Sequence, residues 1–194
     1  MLIALLCGAR VSSPAQPVAR VAAGEDTRAP QKLAQAAQAQ VGVTTIYDPA
    51  YRTLRYPGGD LPKERGVCAD VVVRAFRAIG VDLQVAVHED MAQHFAVYPK
   101  NWGLARPDKN IDHRRVPNLM KYFSRQGKSV AVDAPYAPGD VVAWRLPGGL
   151  YHIGIVSAQR PLAGPDYLVV HNIGDGAQLE PVLRAFQIIG HYRW

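Results

Sequence analysis

Residues 65–80 read RGVCADVVVRAFRAIG, and the order of small, charged and apolar side chains there sets a helix with a cysteine at its start. Val72, Ala75, Phe76 and Ile79 recur at spacings of three and four, with Val71 and Val73 widening the stripe, which is the pattern of an amphipathic helix pressed into a core. Gly66 allows a tight turn ahead of it and Gly80 stops it behind. Cys68 therefore falls on the first turn, where unpaired backbone N–H groups and the positive end of the helix dipole favour thiolate over thiol. By itself the position fits two roles, a small buried hydrophobe or a nucleophile. Asp70 is placed to cap the orphan N–H groups of the same turn.

Upstream, residues 1–23 have an apolar start followed by small residues and prolines, as a secretory leader does, with cleavage expected after Ala15 or Ala23. No charged segment precedes the apolar run, which is too short to span a bilayer, so the start is read as a truncated one. Cys7 follows Leu6 where a lipoprotein needs a small residue, so lipidation is not expected and the chain is peripheral to a membrane at most. Residues 24–30 read as a tether, and residues 31–194 as one domain of a size that supports its own core. With the leader gone Cys68 stands alone, so the mature chain forms no intramolecular disulfide in the oxidising compartment that a leader implies. The formal charge of +6 includes Arg10 and Arg20 of the leader. What is left is a mild basic bias with no Lys/Arg run interleaved with aromatics, which argues against nucleic acid and suits an anionic polymer such as a cell wall.

From Gln31 a first helix carries Leu33, Ala36, Ala37 and Val41 on its apolar side. The stretch 43–66 is broken by Pro and Gly and reads as a hairpin or loops whose tyrosines, Tyr47, Tyr51 and Tyr56, are candidates to line a cleft. After the cysteine helix, a further helix holds His88, Glu89, Asp90 and His94. His88 and His94 are six apart, which does not put two imidazoles on one helical face, so no metal or other cofactor is expected. Residues 98–118, YPKNWGLARPDKNIDHRRVPN, form an irregular excursion of a kind that is often functional. Trp102, Asp108, Asn110, Asp112, His113, Arg114 and Arg115 give it the means to grip a polar, partly charged ligand, or to buttress the fold through Asp–Arg pairs. Pro117 then opens a helix that Gly127 ends.

The last third reads as sheet. Short strands are expected at 129–132, 141–146, 151–159 and 167–174, then one helical turn and a closing strand to residue 194. Helices grouped before consecutive antiparallel strands make an α+β domain. His152 begins one strand just after a Gly-rich turn, and His171 ends the next, sharing a face with Val169 and Tyr167. Cysteine hydrolases need a base within reach of the sulfur and a third group that fixes the base's tautomer. Cys68, His152 and His171 supply nucleophile, base and orienter in that order. Asn172 points the opposite way from His171 by alternation and is the reserve orienter.

GVCADVVVRAF, PGDVVAW, YHIGIVS and YLVVHNIG resemble the cysteine, Gly-Asp, histidine and third-polar segments of NlpC-type cysteine peptidases in the papain-like clan, over residues 66–174. A closer resemblance, through NIDHRRVPN and the terminal GHYR, is to a bacterial family called domain of unknown function 1287. The resemblance implies a papain-like fold with the nucleophile helix packed on the sheet, Cys68 as nucleophile, His152 as base and His171 as orienter. It also implies a periplasmic or secreted monomer acting on an amide bond of peptidoglycan or a similar envelope polymer. The excursion between the cysteine helix and the sheet lies outside the NlpC-type pattern. A non-catalytic envelope-binding module, a Cys/His/His zinc site, and an acyltransferase or lipid-amide hydrolase are the competing readings.

Overall fold

A computed structural model describes residues 28–194, so the leader and most of the tether lie outside the described residues. Four helices come first: α1 (Arg28–Gln38), α2 (Cys68–Arg77), α3 (Leu83–His94) and α4 (Val116–Arg125). Among them β1 (Ile46–Tyr47) pairs in parallel with β2 (Arg65–Gly66). The rest of the chain supplies β3 (Val141–Arg145), β4 (Tyr151–Val156), β5 (Val169–His171), β6 (Gln178–Glu180) and β7 (Gln187–Tyr192), joined as one antiparallel sheet in the order β6-β5-β4-β3-β7. The class is α+β, as the grouping of helix and strand signals requires. No helix among the described residues is long and apolar enough to cross a membrane.

α2 begins at Cys68 as expected, but it is more central than an amphipathic helix would be. Eight of its ten residues are buried, because α1, α3 and the sheet enclose it on several sides. Phe76 stacks on Phe123 of α4 with ring centroids 5.3 Å apart and meets Trp194 edge-on at 5.2 Å. Removing so enclosed an aromatic ring costs about 3–5 kcal/mol.

The sheet is apolar on both faces, and alternation along each strand sorts its side chains into two cores. Val141, Ala143, Ile153, Ile155 and Val170 face the helices. Val142, Trp144, Val156 and Val169 face away, into a smaller cluster with Leu183 that Tyr167, Phe186 and Ile188 cover. His152 and His171 fall on this second face, since His152 is cross-strand from Trp144 and His171 is cross-strand from Gly154. At Gly154 a Cβ would lie 2.8 Å from Val169 Cγ1 and Val170 O and 3.1 Å from His171 Cβ, so only glycine leaves room for His171 there. Asp140 ties the turn before β3 to the end of β7: it accepts from Ala137 N–H at 2.8 Å and meets His191 Nε2 and Arg193 Nη2, each at 2.7 Å.

Several local expectations need correction. Residues 43–66 are loops, as one of the two alternatives had it, with a parallel two-residue ladder in place of a hairpin, and Arg28–Pro30, assigned to the tether, form the first turn of α1. Val41 lies beyond α1 and is exposed. Residues 129–132 make only a bridge from Ser129 to Tyr192 on the free edge of β7, with Val130 N–H donating to His191 O, before the chain turns away at Asp133. Where a helical turn was expected after Leu179, the chain instead adds β6 to the sheet edge.

Candidate active site

The thiol is held where α2 meets the sheet. The N–H of Ile153, in the peptide that joins it to His152, and the N–H groups of Ala69 and Cys68 itself lie around Sγ and favour its ionised form. The helix start is fixed by Asp70, whose Oδ2 accepts the Val67 N–H at 2.7 Å, the capping role expected of it. Arg114 then locks Asp70 in place. Its Nε and Nη2 donate to the two carboxylate oxygens at 2.9 Å each, and its Nη1 and Nη2 also donate to Ala50 O at 2.9 Å and Asp48 O at 2.8 Å. The whole guanidinium is buried and spoken for.

The two histidines meet. His152 Nε2 and His171 Nδ1 are 2.9 Å apart, and both rings are almost fully buried, with Trp144 stacked 5.4 Å from His152. His171 Nε2 lies 2.9 Å from Glu180 Oε2, close to the carboxylate but off the hydrogen-bond axis. A carboxylate on that side favours a proton on His171 Nε2, which makes Nδ1 an acceptor, gives the Nε2 proton to His152 and leaves His152 Nδ1 with its lone pair. No hydrogen bond joins His152 to Cys68 in this resting arrangement. Glu180 was not among the expected site residues. Its only sequence signal is an acidic residue on the strand that pairs with β5, and that signal is readable only once the β5–β6 register is known.

Electrostatics correct the expectation of a thiolate. Burial pushes the Cys68 thiol up to about 12, helped by the negative charge of Asp70, and the three N–H groups around the sulfur do not offset it. Burial likewise pushes His152 down to about 3, with His171 adding to the effect. The pair rests as neutral thiol and neutral imidazole because neither charge is solvated. Asn172, the reserve orienter, is instead a brace: its Nδ2 donates to Gly66 O at 3.0 Å, and its Oδ1 accepts from Gly174 N–H at 3.2 Å.

A cleft of about 580 Å³ opens onto Cys68, walled by Tyr47, Tyr51, Trp102, Arg114, Arg115 and the β3–β4 hairpin tip at Leu150 and Tyr151. Tyr47 stands near enough to Cys68 and Asp70 that their charge adds to burial in raising its phenol. Of the residues expected to grip ligand, Trp102, Arg114 and Arg115 line this cleft, and Asp108, Asn110, Asp112 and His113 do not. Asp108 lines a neighbouring cavity of about 730 Å³ and accepts from Tyr51 O–H at 3.0 Å. Asp112 is fully buried and takes the Asp108 N–H at 2.6 Å, with burial raising its carboxyl. His113 is buried too and is pushed down to about 4, by burial first and then by Arg77 and Arg114. Asp112 and His113 are therefore framework, since a short 3-10 turn at Asp112–Arg114 points them inward. No group of three His, Cys, Asp or Glu side chains among the described residues is arranged to hold a metal ion.

The sequence profile of the family described as domain of unknown function DUF1287 matches residues 34–194. The chain belongs to the DUF1287 family. A relative from Escherichia coli (strain K12), described only as uncharacterized protein YijF, is 52% identical over 187 residues, covering 95% of this chain and 90% of the relative. No solved structure matches the chain. The DUF1287 segment contains every site residue named above, from Tyr47 to Glu180.

Proposed function

We propose that the protein is an extracytoplasmic cysteine hydrolase of papain-like, NlpC-related type that cleaves an amide bond in peptidoglycan or its stem peptides. The observation that carries this reading is the buried His171–His152 pair, with the half-exposed Glu180 carboxylate 2.9 Å from its far side, joined through the His152–Ile153 peptide to a helix-start thiol that opens on a cleft. Such a pair serves no packing need that an apolar residue would not serve better, since each buried polar group must be satisfied at a cost. In the proposed reaction His152 Nδ1 takes the Cys68 proton as the sulfur bonds to the carbonyl carbon. The tetrahedral intermediate expels the amine, which receives that proton from His152, and water then hydrolyses the thioester. A neutral resting pair fits general-base assistance during attack, and the hydrogen bond that apo enzymes leave unformed closes when substrate excludes water. The backbone N–H at the start of α2 is the first candidate oxyanion donor, and a donor of this kind contributes about 3 kcal/mol.

The protonated thiol and the missing Cys68–His152 hydrogen bond favour a second reading, a binding module on the same framework. Purified protein incubated with peptidoglycan separates the two. Fragment release is expected, and Cys68→Ala or His152→Ala should each lower it at least about 1,000-fold with circular dichroism unchanged. Retained activity in Cys68→Ala would sink the hydrolase, and binding without release by the unmodified protein would favour the module.

A further inference from the structure

We propose that Arg115 reads a substrate carboxylate, so that the amide cleaved in this cleft carries a free carboxylate close to the scissile bond. The proposal rests on the hydrolase reading for the bond but not for the binding. The cleft wall contains two cations and no Asp or Glu. Arg114 has its guanidinium consumed by Asp70 and two backbone carbonyls. The guanidinium of Arg115, its neighbour, makes no hydrogen bond or ion pair with any described residue and lies 4.2 Å over the ring of Trp102, itself 42% exposed on the cleft.

Stacking on an aromatic face leaves the in-plane N–H donors of a guanidinium free and pre-orients the fork that matches a carboxylate with two hydrogen bonds. Arg115 is half-buried, which strengthens such a pair relative to one in open water. The nearest acidic groups, Asp108 and Asp112, act on Arg115 only at a distance, and Asp108 is engaged with Tyr51 and Asn110. The exposed Tyr51 and Leu150 on the rim offer apolar surface to the rest of the ligand. A half-buried, unpaired cation in an acid-free cleft thus selects for anionic peptides and against their amidated forms.

The test uses a stem tetrapeptide with its carboxylates free and the same peptide with every carboxylate amidated, each titrated calorimetrically into the Cys68→Ala protein. The free acid is expected to bind at least ~10-fold more tightly, Arg115→Gln to erase that preference, and Arg115→Lys to restore part of it. Equal affinities, no binding of either peptide, or an undiminished preference in Arg115→Gln would each overturn the proposal. If Arg115→Gln does not melt cooperatively, the acid-to-amide ratio in the Arg115-containing protein and in Arg115→Lys decides. Hydrolysis of both peptides by the Cys68 protein is followed in parallel. Tight acid binding with no hydrolysis leaves the carboxylate reader standing and removes the hydrolase, whereas equal hydrolysis of both does the reverse.

Discussion

A helix N-terminus acts on Cys68 from one side and a dry environment acts from the other, and the dry environment is the stronger. The dipole and the three N–H groups around Sγ stabilise a thiolate, but a thiolate there would sit unsolvated beside the Asp70 carboxylate. The result can be measured without substrate. Iodoacetamide labelling of Cys68 is expected to climb about tenfold per pH unit from pH 7 to 10 because the thiolate fraction rises that way below its pKa. A labelling plateau below pH 8 would show a preformed imidazolium–thiolate pair instead. The same contrast explains what was readable at this scale. Cys68, His152 and His171 announce themselves by residue type and position, whereas the balance of burial against dipole depends on α2 being enclosed on several sides. Arg114 and Arg115 are identical letters side by side, and only their tertiary partners distinguish a buried clasp from an unpaired cation.

At the level of elements, the site depends on α2 and β4 keeping their relative position, and Asn172 is one of the braces that hold them. It extends from the end of β5 to the carbonyl of Gly66, two residues before the thiol. Asn172→Ala is expected to lower stability by about 1 kcal/mol in urea unfolding, since Gly66 O loses one of two donors and keeps only the Asp48 N–H. It should also speed Cys68 labelling while reducing turnover far less than His171→Ala does. An equal loss of turnover in the two variants would make Asn172 the orienter. The strongest strands, β3 and β4, and the helix α2 were legible because their apolar periods are long and bounded by Gly and Pro. β6 was not, because three residues after a Gly-rich turn carry no period, and Glu180 went unseen with it. The segment at Ser129 reaches the free edge of β7 but leaves it after one bridge, a departure that its short apolar alternation does not announce.

Across the whole molecule, buried neutral histidines make the fold acid-sensitive. His113, with an ordinary value near 6.5, is held down to about 4, and His152 to about 3. Below pH 6.5 the unfolded chain takes up protons that the folded chain refuses, so stability present at neutral pH is lost as pH falls toward these folded values. Each histidine costs about 1.4 kcal/mol per pH unit over its window, roughly 3 kcal/mol in all for His113. Asp112, with its carboxyl raised, acts in the opposite sense over the acid end of that range. Thermal melts at pH 7, 5 and 4 are expected to show a falling midpoint, with a shallower slope in His113→Gln; parallel slopes would remove His113 as a cause. The α+β class followed from the order of helix and strand signals, while the inward turn of Asp112 and His113 depended on a 3-10 segment too short to leave a pattern. Within this frame β4 serves two masters: Ile153 enters the helical core and offers its N–H to the thiol, and His152, one residue earlier, faces the opposite layer. A slip of β4 by a single residue would exchange the two, burying the imidazole under α2 and turning the isoleucine toward His171. The arrangement of thiol and imidazole therefore has no half-built version. Any molecule that carries it has already passed inspection of its strand register, and a count of such molecules is a count of correctly folded ones.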